Sequence, residues 1–89
     1  MAKWLLTDGT SQTIQILDKP RKDMLPLLQG LVAGLIEIVN LGEGWTMIVN
    51  EEGLPRDLMM NEAASVLANQ YIVGDVVILT KEETEYALY

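Results

Sequence analysis

The segment YIVGDVVILT, residues 71–80, is the most informative part of this 89-residue chain. Its run from Val76 to Leu79 is continuously apolar, which is typical of a central strand that is buried on both faces. Gly74 and Asp75 precede the run and indicate a turn at its entrance. The chain is short enough for one domain with one hydrophobic core. We therefore expect a sheet in which this strand is central.

Two pairs of β-rich runs elsewhere in the sequence predict β-hairpins. AKWLL and SQTIQIL, residues 2–6 and 11–17, flank the Asp-Gly turn signal TDGT, and the second run alternates apolar and polar residues. LIEIVN and WTMIVN, residues 35–40 and 45–50, are joined by the short connection LGEG. Together with the central strand, these runs predict a sheet of about five strands.

Turn and cap residues separate the strands from two short helices. Asp23 is placed to cap a first helix, and Gly34 is placed to end it. Asn61 is placed to cap a second helix, EAASVLAN, at residues 62–69. Between the second hairpin and this helix, Pro55 restricts the residue before it to extended conformations. We therefore expect the chain there to run extended across one end of the sheet.

These elements predict a single α+β domain over residues 1–89. Its sheet is expected to be mixed and mostly antiparallel, with about five strands and two short helices. Residues 81–89, KEETEYALY, follow the last strand as a tail that is either flexible, with at most a turn or two of helix, or engaged in oligomer formation. Small proteins with open sheet edges often close them by symmetric self-association, so we expect a homo-oligomer. Tyr86 and Tyr89 are the predicted oligomer contacts.

Cysteine and histidine are both absent from the sequence. Their absence excludes disulfides, thiolate nucleophiles, zinc sites built from Cys and His, and the side chain best suited to proton transfer near neutral pH. Glu51 and Glu52 are adjacent, so in an extended segment they point to opposite faces and do not form a general acid–base pair. We expect no enzymatic activity, no metal and no cofactor.

The formal charge is −7 and is unevenly distributed. Residues 1–36 hold four cations and three acids, whereas residues 37–89 hold ten acids and two cations. A negative surface repels nucleic-acid phosphates and anionic membranes, so direct binding to either is disfavoured. The longest apolar tract, residues 24–36, is shorter than the roughly 20 residues of a membrane span. The apolar segment at the N-terminus is too short for a secretory signal, and we expect a cytoplasmic protein.

The stretch IVNEEGLPRDLMMNEAA, residues 48–64, is rich in polar side chains. These side chains could converge at one end of the sheet and face a small ligand or a partner loop. Alternatively, turn and cap chemistry explains each residue type, and this interpretation is favoured. Under the turn-and-cap interpretation, only Arg56 has no structural role. The candidate partner- or ligand-binding residues are Asn50, Glu51, Glu52, Arg56, Asp57 and Asn61.

The segment 34–79 contains an ordered series of residues: Gly34, VNEEG at residues 49–53, Leu54, Pro55, Asn61, Ala64, and IVGDVV at residues 72–77. In this series the segment resembles a family of small uncharacterised proteins from phage and plasmid-borne genomes, catalogued only as a domain of unknown function. The resemblance implies an accessory, host-takeover or anti-defence role in the cytoplasm of a host cell. It implies no reaction and no catalytic residue.

The first functional hypothesis is a non-catalytic, phage-type accessory protein that binds a host protein, with the acidic half of the chain as its electrostatic face. One alternative is a protein that sequesters a small molecule at an oligomer interface. The other is an acidic mimic of nucleic acid, although the acids form no obvious ladder.

Overall fold

A computed structural model of the protein describes residues 1–89. The elements are β1 (Ala2–Leu5), β2 (Ser11–Ile14), a 3-10 turn (Arg21–Asp23), α1 (Met24–Val32), β3 (Ile36–Gly42), β4 (Trp45–Asn50), α2 (Glu62–Ala68), β5 (Val76–Leu79) and α3 (Lys81–Leu88). The strands form one five-stranded sheet in the order β2-β1-β5-β4-β3, and all four pairings are antiparallel. This architecture confirms the predicted α+β class.

The apolar run at Val76–Leu79 forms the central strand, as predicted. β5 pairs with β1 on one side and with β4 on the other, so that Val77 lies opposite both Trp4 and Ile48. All four residues of β5 are buried. The last strand in the sequence therefore joins the N-terminal hairpin to the β3–β4 hairpin.

Side chains from the sheet divide between two cores, one on each face, whereas the sequence predicted a single core. Successive side chains of a strand point to opposite faces, so Val77 and Leu79 enter one core while Val76 and Ile78 enter the other. The α1-side core contains Ala2, Ile16, Met24, Leu28, Val32, Ile48, Val77 and Leu79. The α2-side core contains Met47, Val49, Ala64, Ile72, Val76 and Ile78.

The turn of the β1–β2 hairpin lies at the Asp-Gly signal, as predicted. Gly9 has a φ of +90°, a conformation that L side chains rarely adopt. The hydroxyl of Thr10 donates to the Asp8 carboxylate at 2.6 Å, and the Thr10 amide donates to the same oxygen at 2.9 Å. These bonds hold the pKa of Asp8 below its usual value.

The ends of α1 differ from the sequence prediction. Asp23 occupies the N-cap position as the last residue of the 3-10 turn, but its side chain makes no capping hydrogen bond. Ala33, not Gly34, takes the left-handed conformation that ends the helix, with a φ of 64°. The amide of Gly34 donates to the carbonyl of Gln29 at 3.0 Å. Gly34 is required for a different reason, which concerns the side chains packed against it.

The tail forms a third helix, α3, which begins at a capping box. The Thr80 hydroxyl accepts from the amide of Glu83 at 3.2 Å, and the Glu83 carboxylate accepts from the amide of Thr80 at 3.0 Å. The second oxygen of this buried carboxylate lies 3.9 Å from the Met1 ammonium group. Residues 86–88 pack on the α1-side core. None of the helices is long and apolar enough to cross a membrane.

The segment around Pro55 is a turn, which corrects the expectation of an extended crossing. The amide of Arg56 donates to the carbonyl of Glu52 at 3.0 Å, and the amide of Leu58 donates to the carbonyl of Gly53 at 3.0 Å. Residues 51–57 are turn throughout. Pro55 lacks an N–H, and this turn closes through the amides on its C-terminal side.

Because the sheet is buried on both faces, Met47→Ala and Ile48→Ala are each expected to destabilise the fold by about 2–5 kcal/mol. Both side chains are fully buried, in opposite cores. Urea unfolding followed by circular dichroism measures the change. Val66→Ala, on the 77% exposed side chain of α2, is the control and should change stability by less than about 0.5 kcal/mol. A large loss in only one of the two core variants would contradict the two-core fold.

Candidate functional site

Asn61 is a structural junction. Its side chain is buried and caps α2 as predicted, since Oδ1 accepts from the amide of Ala64 at 3.1 Å. Its Nδ2 donates to the carbonyl of Leu5 at 3.1 Å and to the carbonyl of Gly74 at 3.0 Å. One amide side chain therefore joins the start of α2, the end of β1 and the entrance of β5.

Asn50 has an equivalent role at the end of β4. Its side chain is buried, and its Nδ2 donates to the carbonyls of Val32 at 3.0 Å and Ala33 at 3.2 Å. Its Oδ1 accepts from the amide of Glu52 at 2.7 Å. The side chain thus ties the C-terminus of α1 to the sheet and shapes the turn that follows β4.

Arg56 also has a structural role, contrary to the sequence interpretation. Its Nη1 donates to the carbonyl of Ala33 at 2.7 Å, at the end of α1 where the helix dipole is negative. A Cβ atom on Gly34 would lie 2.7 Å from Nδ2 of Asn50 and 2.9 Å from Nη1 of Arg56. A side chain at position 34 would therefore displace these two groups from the end of α1. We refer to Gly34, Asn50 and Arg56 as the α1 clamp.

The six candidate residues do not form a common site. Glu51, Glu52 and Asp57 are exposed, and Asp57 has a φ of 55° within the turn. Of the six candidates, Asn50 and Glu51 line a cleft at this end of the sheet, and the other four do not. The structure therefore divides the candidates among a helix clamp, a helix cap, a turn and a cleft.

This cleft, which we call the end cleft, has a volume of about 240 Å³ and lies beside the first half of β3. Its apolar lining residues include Val39, Val49 and Leu54. Two exposed acidic residues, Glu37 and Glu51, also line it. No lysine or arginine is among the lining residues. The cleft therefore combines apolar surface with uncompensated negative charge.

The sequence interpretation missed three features of the end cleft. Glu37 interrupts the apolar run LIEIVN, and this single charge in a β-rich segment was the available signal for it. Leu54 and Tyr71 also line the cleft, and both remain mostly exposed, Tyr71 at 60%. Their participation depends on the turn at residues 51–57 and on the approach to β5, which no sequence pattern indicated.

A second depression lies on the opposite face of β3, against α3. This α3 recess has a volume of about 310 Å³ and is lined by Ile38, Asn40, Thr46, Lys81 and Tyr89, among others. The side chain of Lys81 packs over Gly44, where an added Cβ would lie 2.6 Å from its Cγ. The edge strand β3 therefore has a depression on each of its faces.

The predicted oligomer contacts have different environments. The Tyr86 hydroxyl donates to the carbonyl of Lys19, and the Arg21 guanidinium lies 5.8 Å from the centre of the Tyr86 ring. Tyr86 therefore serves the docking of α3 within the chain. Tyr89 is 78% exposed and lines the α3 recess. Self-association through either residue stays a prediction.

The polar side chains near the end cleft have the following environments. No group of three or more acidic side chains is arranged to hold a metal ion. The Ser65 hydroxyl donates to the carbonyl of Asn61 at 2.8 Å and accepts from the amide of Ile72 at 2.9 Å, so it is committed to the backbone. The end cleft offers carboxylates and an aromatic ring to a cationic group.

One protein family matches the sequence over residues 3–88, and its description is "Domain of unknown function (DUF3846)". This match agrees with the expectation of an uncharacterised family and extends beyond the residues 34–79 that carried the resemblance. No curated protein and no solved structure matches the chain.

If Asn61 only capped α2, Asn61→Asp would be tolerated, because aspartate is an equally good N-cap residue. The bonds from Nδ2 to two carbonyls predict the opposite. Asp would leave both carbonyls without their donor and would bury a charge. We expect a loss of more than about 2 kcal/mol in the free energy of unfolding, measured by urea titration. A stability within error of wild type would reduce the role of Asn61 to helix capping.

The α1 clamp predicts opposite effects for two glycine substitutions in the same region. Gly34→Ala forces Asn50 and Arg56 away from the end of α1 and should destabilise the fold by about 1–3 kcal/mol. Gly30 lies inside α1, and an added Cβ there would meet open space. Gly30→Ala should therefore stabilise the fold by about 0.5–1 kcal/mol. Melting temperatures of the two variants test the clamp. Equal shifts in one direction would show that Gly34 has no special contact.

Proposed function

We propose that this chain, which belongs to the DUF3846 family, is a non-catalytic accessory protein that binds another protein. We further propose that it is of the kind carried by phages and plasmids, and that its partner is a host protein met in the cytoplasm of the host cell. The binding face in this proposal lies within the acidic half of the chain, at the end cleft.

The end cleft is the observation that supports this proposal most directly. Glu37 and Glu51 give it negative charge, the lining holds no cation, and half of its lining residues are hydrophobic. A lysine or arginine side chain has an aliphatic stem and a cationic head, so it matches such a cleft in both respects. Complementary charge of this kind guides association and selects partners.

The hydrogen bonds of four buried or half-buried polar side chains also support a binding role over a catalytic one. Asn50, Asn61 and Ser65 use their polar atoms on backbone groups of the chain itself. Thr84 donates to the carbonyl of Thr80 at 2.7 Å. None of these side chains is left to activate a nucleophile or to transfer a proton to a bound molecule.

At the end cleft, the volume favours a side chain of a protein partner over a sequestered metabolite. Sites for small molecules usually measure about 300–1,000 Å³. The end cleft, at about 240 Å³, is better suited to one side chain of a partner than to a whole cofactor or nucleotide. Its negative charge also disfavours phosphate-bearing ligands.

The proposal predicts a protein complex that weakens with salt and depends on the two cleft carboxylates. The tagged protein is immobilised and exposed to lysate of a bacterial host at about 50 mM and 300 mM salt, where screening differs strongly. The double variant Glu37→Gln/Glu51→Gln should reduce retention of the partner by about tenfold, because two charge-assisted contacts are lost.

The control is Asp23→Asn/Glu82→Gln, which changes the net charge equally but alters exposed acids that do not line the cleft. It should retain the partner within about twofold of wild type, since remote exposed charges contribute little. Equal losses in both double variants would indicate a general charge effect. Failure of the wild-type protein to retain any partner at low salt would count against a protein-binding function.

A further inference from the structure

The outer edge of β3 has backbone groups without a neighbouring strand. β3 ends the sheet order and spans Ile36–Gly42. The amide of Glu51 donates to the carbonyl of Leu35 at 2.8 Å, so these two residues form a hydrogen-bonded pair. In an antiparallel ladder such pairs alternate with pairs whose N–H and C=O groups point away from the partner strand. The N–H and C=O groups of Ile36, Ile38 and Asn40 therefore point to the free edge.

The other edge of the sheet is less suited to accept a strand. β2 spans only four residues, Ser11–Ile14. Just beyond it, the ammonium group of Lys19 donates to the carbonyl of Gln15. Short edge strands and lysines are common means by which proteins prevent strand addition. β3 is longer, carries no lysine, and leaves Ile38 48% exposed.

The two depressions beside β3 match the geometry of an added strand. The side chains of Glu37 and Val39 face the end cleft, whereas those of Ile38 and Asn40 face the α3 recess. A strand paired with β3 would direct alternate side chains to these same two faces. This arrangement combines backbone hydrogen bonds with separate contacts for alternate side chains, as in recognition by strand addition.

Charge distinguishes between the possible occupants of the edge. In an antiparallel pairing of two copies about Ile38, Glu37 of each copy would lie opposite Val39 of the other, on the same sheet face. The two Glu37 residues would then be diagonal neighbours, with about 7–8 Å between their backbones, and the carboxylates of Glu51 would be on that face too. Each copy also carries a net charge of −7. Repulsion therefore disfavours a second copy and favours a cationic strand.

We propose that the β3 edge binds an extended segment of a partner protein by strand addition, with a lysine or arginine of that segment in the end cleft. The inference rests on the proposed function and deepens it, because it gives the partner a conformation and a charge. The bound segment forms main-chain hydrogen bonds with Ile36, Ile38 and Asn40. Its basic side chains lie on the face of Glu37 and Glu51, and its other side chains lie over Ile38.

Three synthetic heptapeptides with amidated C-termini test the proposal, each labelled with fluorescein at its N-terminus. VKVKVKV alternates basic and apolar residues, VVKKKVV has the same composition without the alternation, and VEVEVEV has the alternation with the opposite charge. Fluorescence anisotropy at about 50 mM salt measures binding. We expect saturable binding of VKVKVKV, binding of VVKKKVV weaker by about fivefold or more, and none of VEVEVEV.

Two substitutions of one residue separate backbone from side-chain effects. Ile38→Pro removes the outward N–H, and proline is tolerated on an edge strand where that N–H faces solvent. Ile38→Ala retains the N–H and shortens the side chain. Ile38→Pro should weaken binding of VKVKVKV by about tenfold or more, and Ile38→Ala by less than about threefold. In the wild-type complex, hydrogen exchange followed by NMR should show new protection at the amides of Ile36, Ile38 and Asn40.

Each contrary result overturns the inference. The inference fails if VKVKVKV shows no saturable binding up to about 1 mM, or if VKVKVKV and VVKKKVV bind equally well. It also fails if hydrogen exchange at the amides of Ile36, Ile38 and Asn40 is unchanged in the complex. If Ile38→Pro does not fold, the exchange measurement on the wild-type protein decides. Sedimentation that shows a dimer lost in Ile38→Pro would assign the edge to a second copy. A salt-sensitive partner that binds Ile38→Pro as well as wild type would leave the proposed function intact and refute only the edge.

Discussion

The burial of β5 on both faces is the constraint on which the rest of the structure depends. A strand without a polar face is stable only between two neighbouring strands and two covering layers. The chain supplies β1 and β4 as neighbours, α1 and α3 as one layer, and α2 as the other. Full burial of each aliphatic side chain contributes about 1.5–3 kcal/mol, so the four residues of β5 contribute as much as the typical net stability of a domain.

The layers are attached to the sheet by side chains that bond to backbone carbonyls. Asn50 and Arg56 bind the last carbonyls of α1, and Asn61 joins α2 to the ends of β1 and β5. Tyr86 and Arg21 fasten α3 to the segment before α1. Such bonds contribute modestly when formed, but at the buried side chains of Asn50 and Asn61 the loss of one partner leaves a buried group unsatisfied, which costs more. The polar residues between strand and helix are therefore needed for the fold.

The layers leave part of the surface uncovered at this end of the sheet. α2 ends at Ala68, and beyond it the approach to β5 and the turn after β4 enclose the end cleft. The sheet stops at β3 because no further strand exists to cover it. Glu37 lies where both features meet. In the proposed strand addition, its charge opposes pairing of β3 with a second copy and favours a cationic strand at the same edge.

The sequence by itself determined the local elements, because their signals lie within a few residues: the apolar run of β5, the Asp-Gly turn at Gly9, and the cap at Asn61. It also determined the negative charge and the absence of cysteine and histidine chemistry. It did not indicate the partners of Arg56 or of the Asn61 amide, the close packing at Gly34, or the end cleft. Those features join residues distant in the chain, such as Asn61 with Leu5. Only the tertiary structure decided them, because the strand order that brings β1, β5 and β4 together sets which carbonyl each side chain can reach.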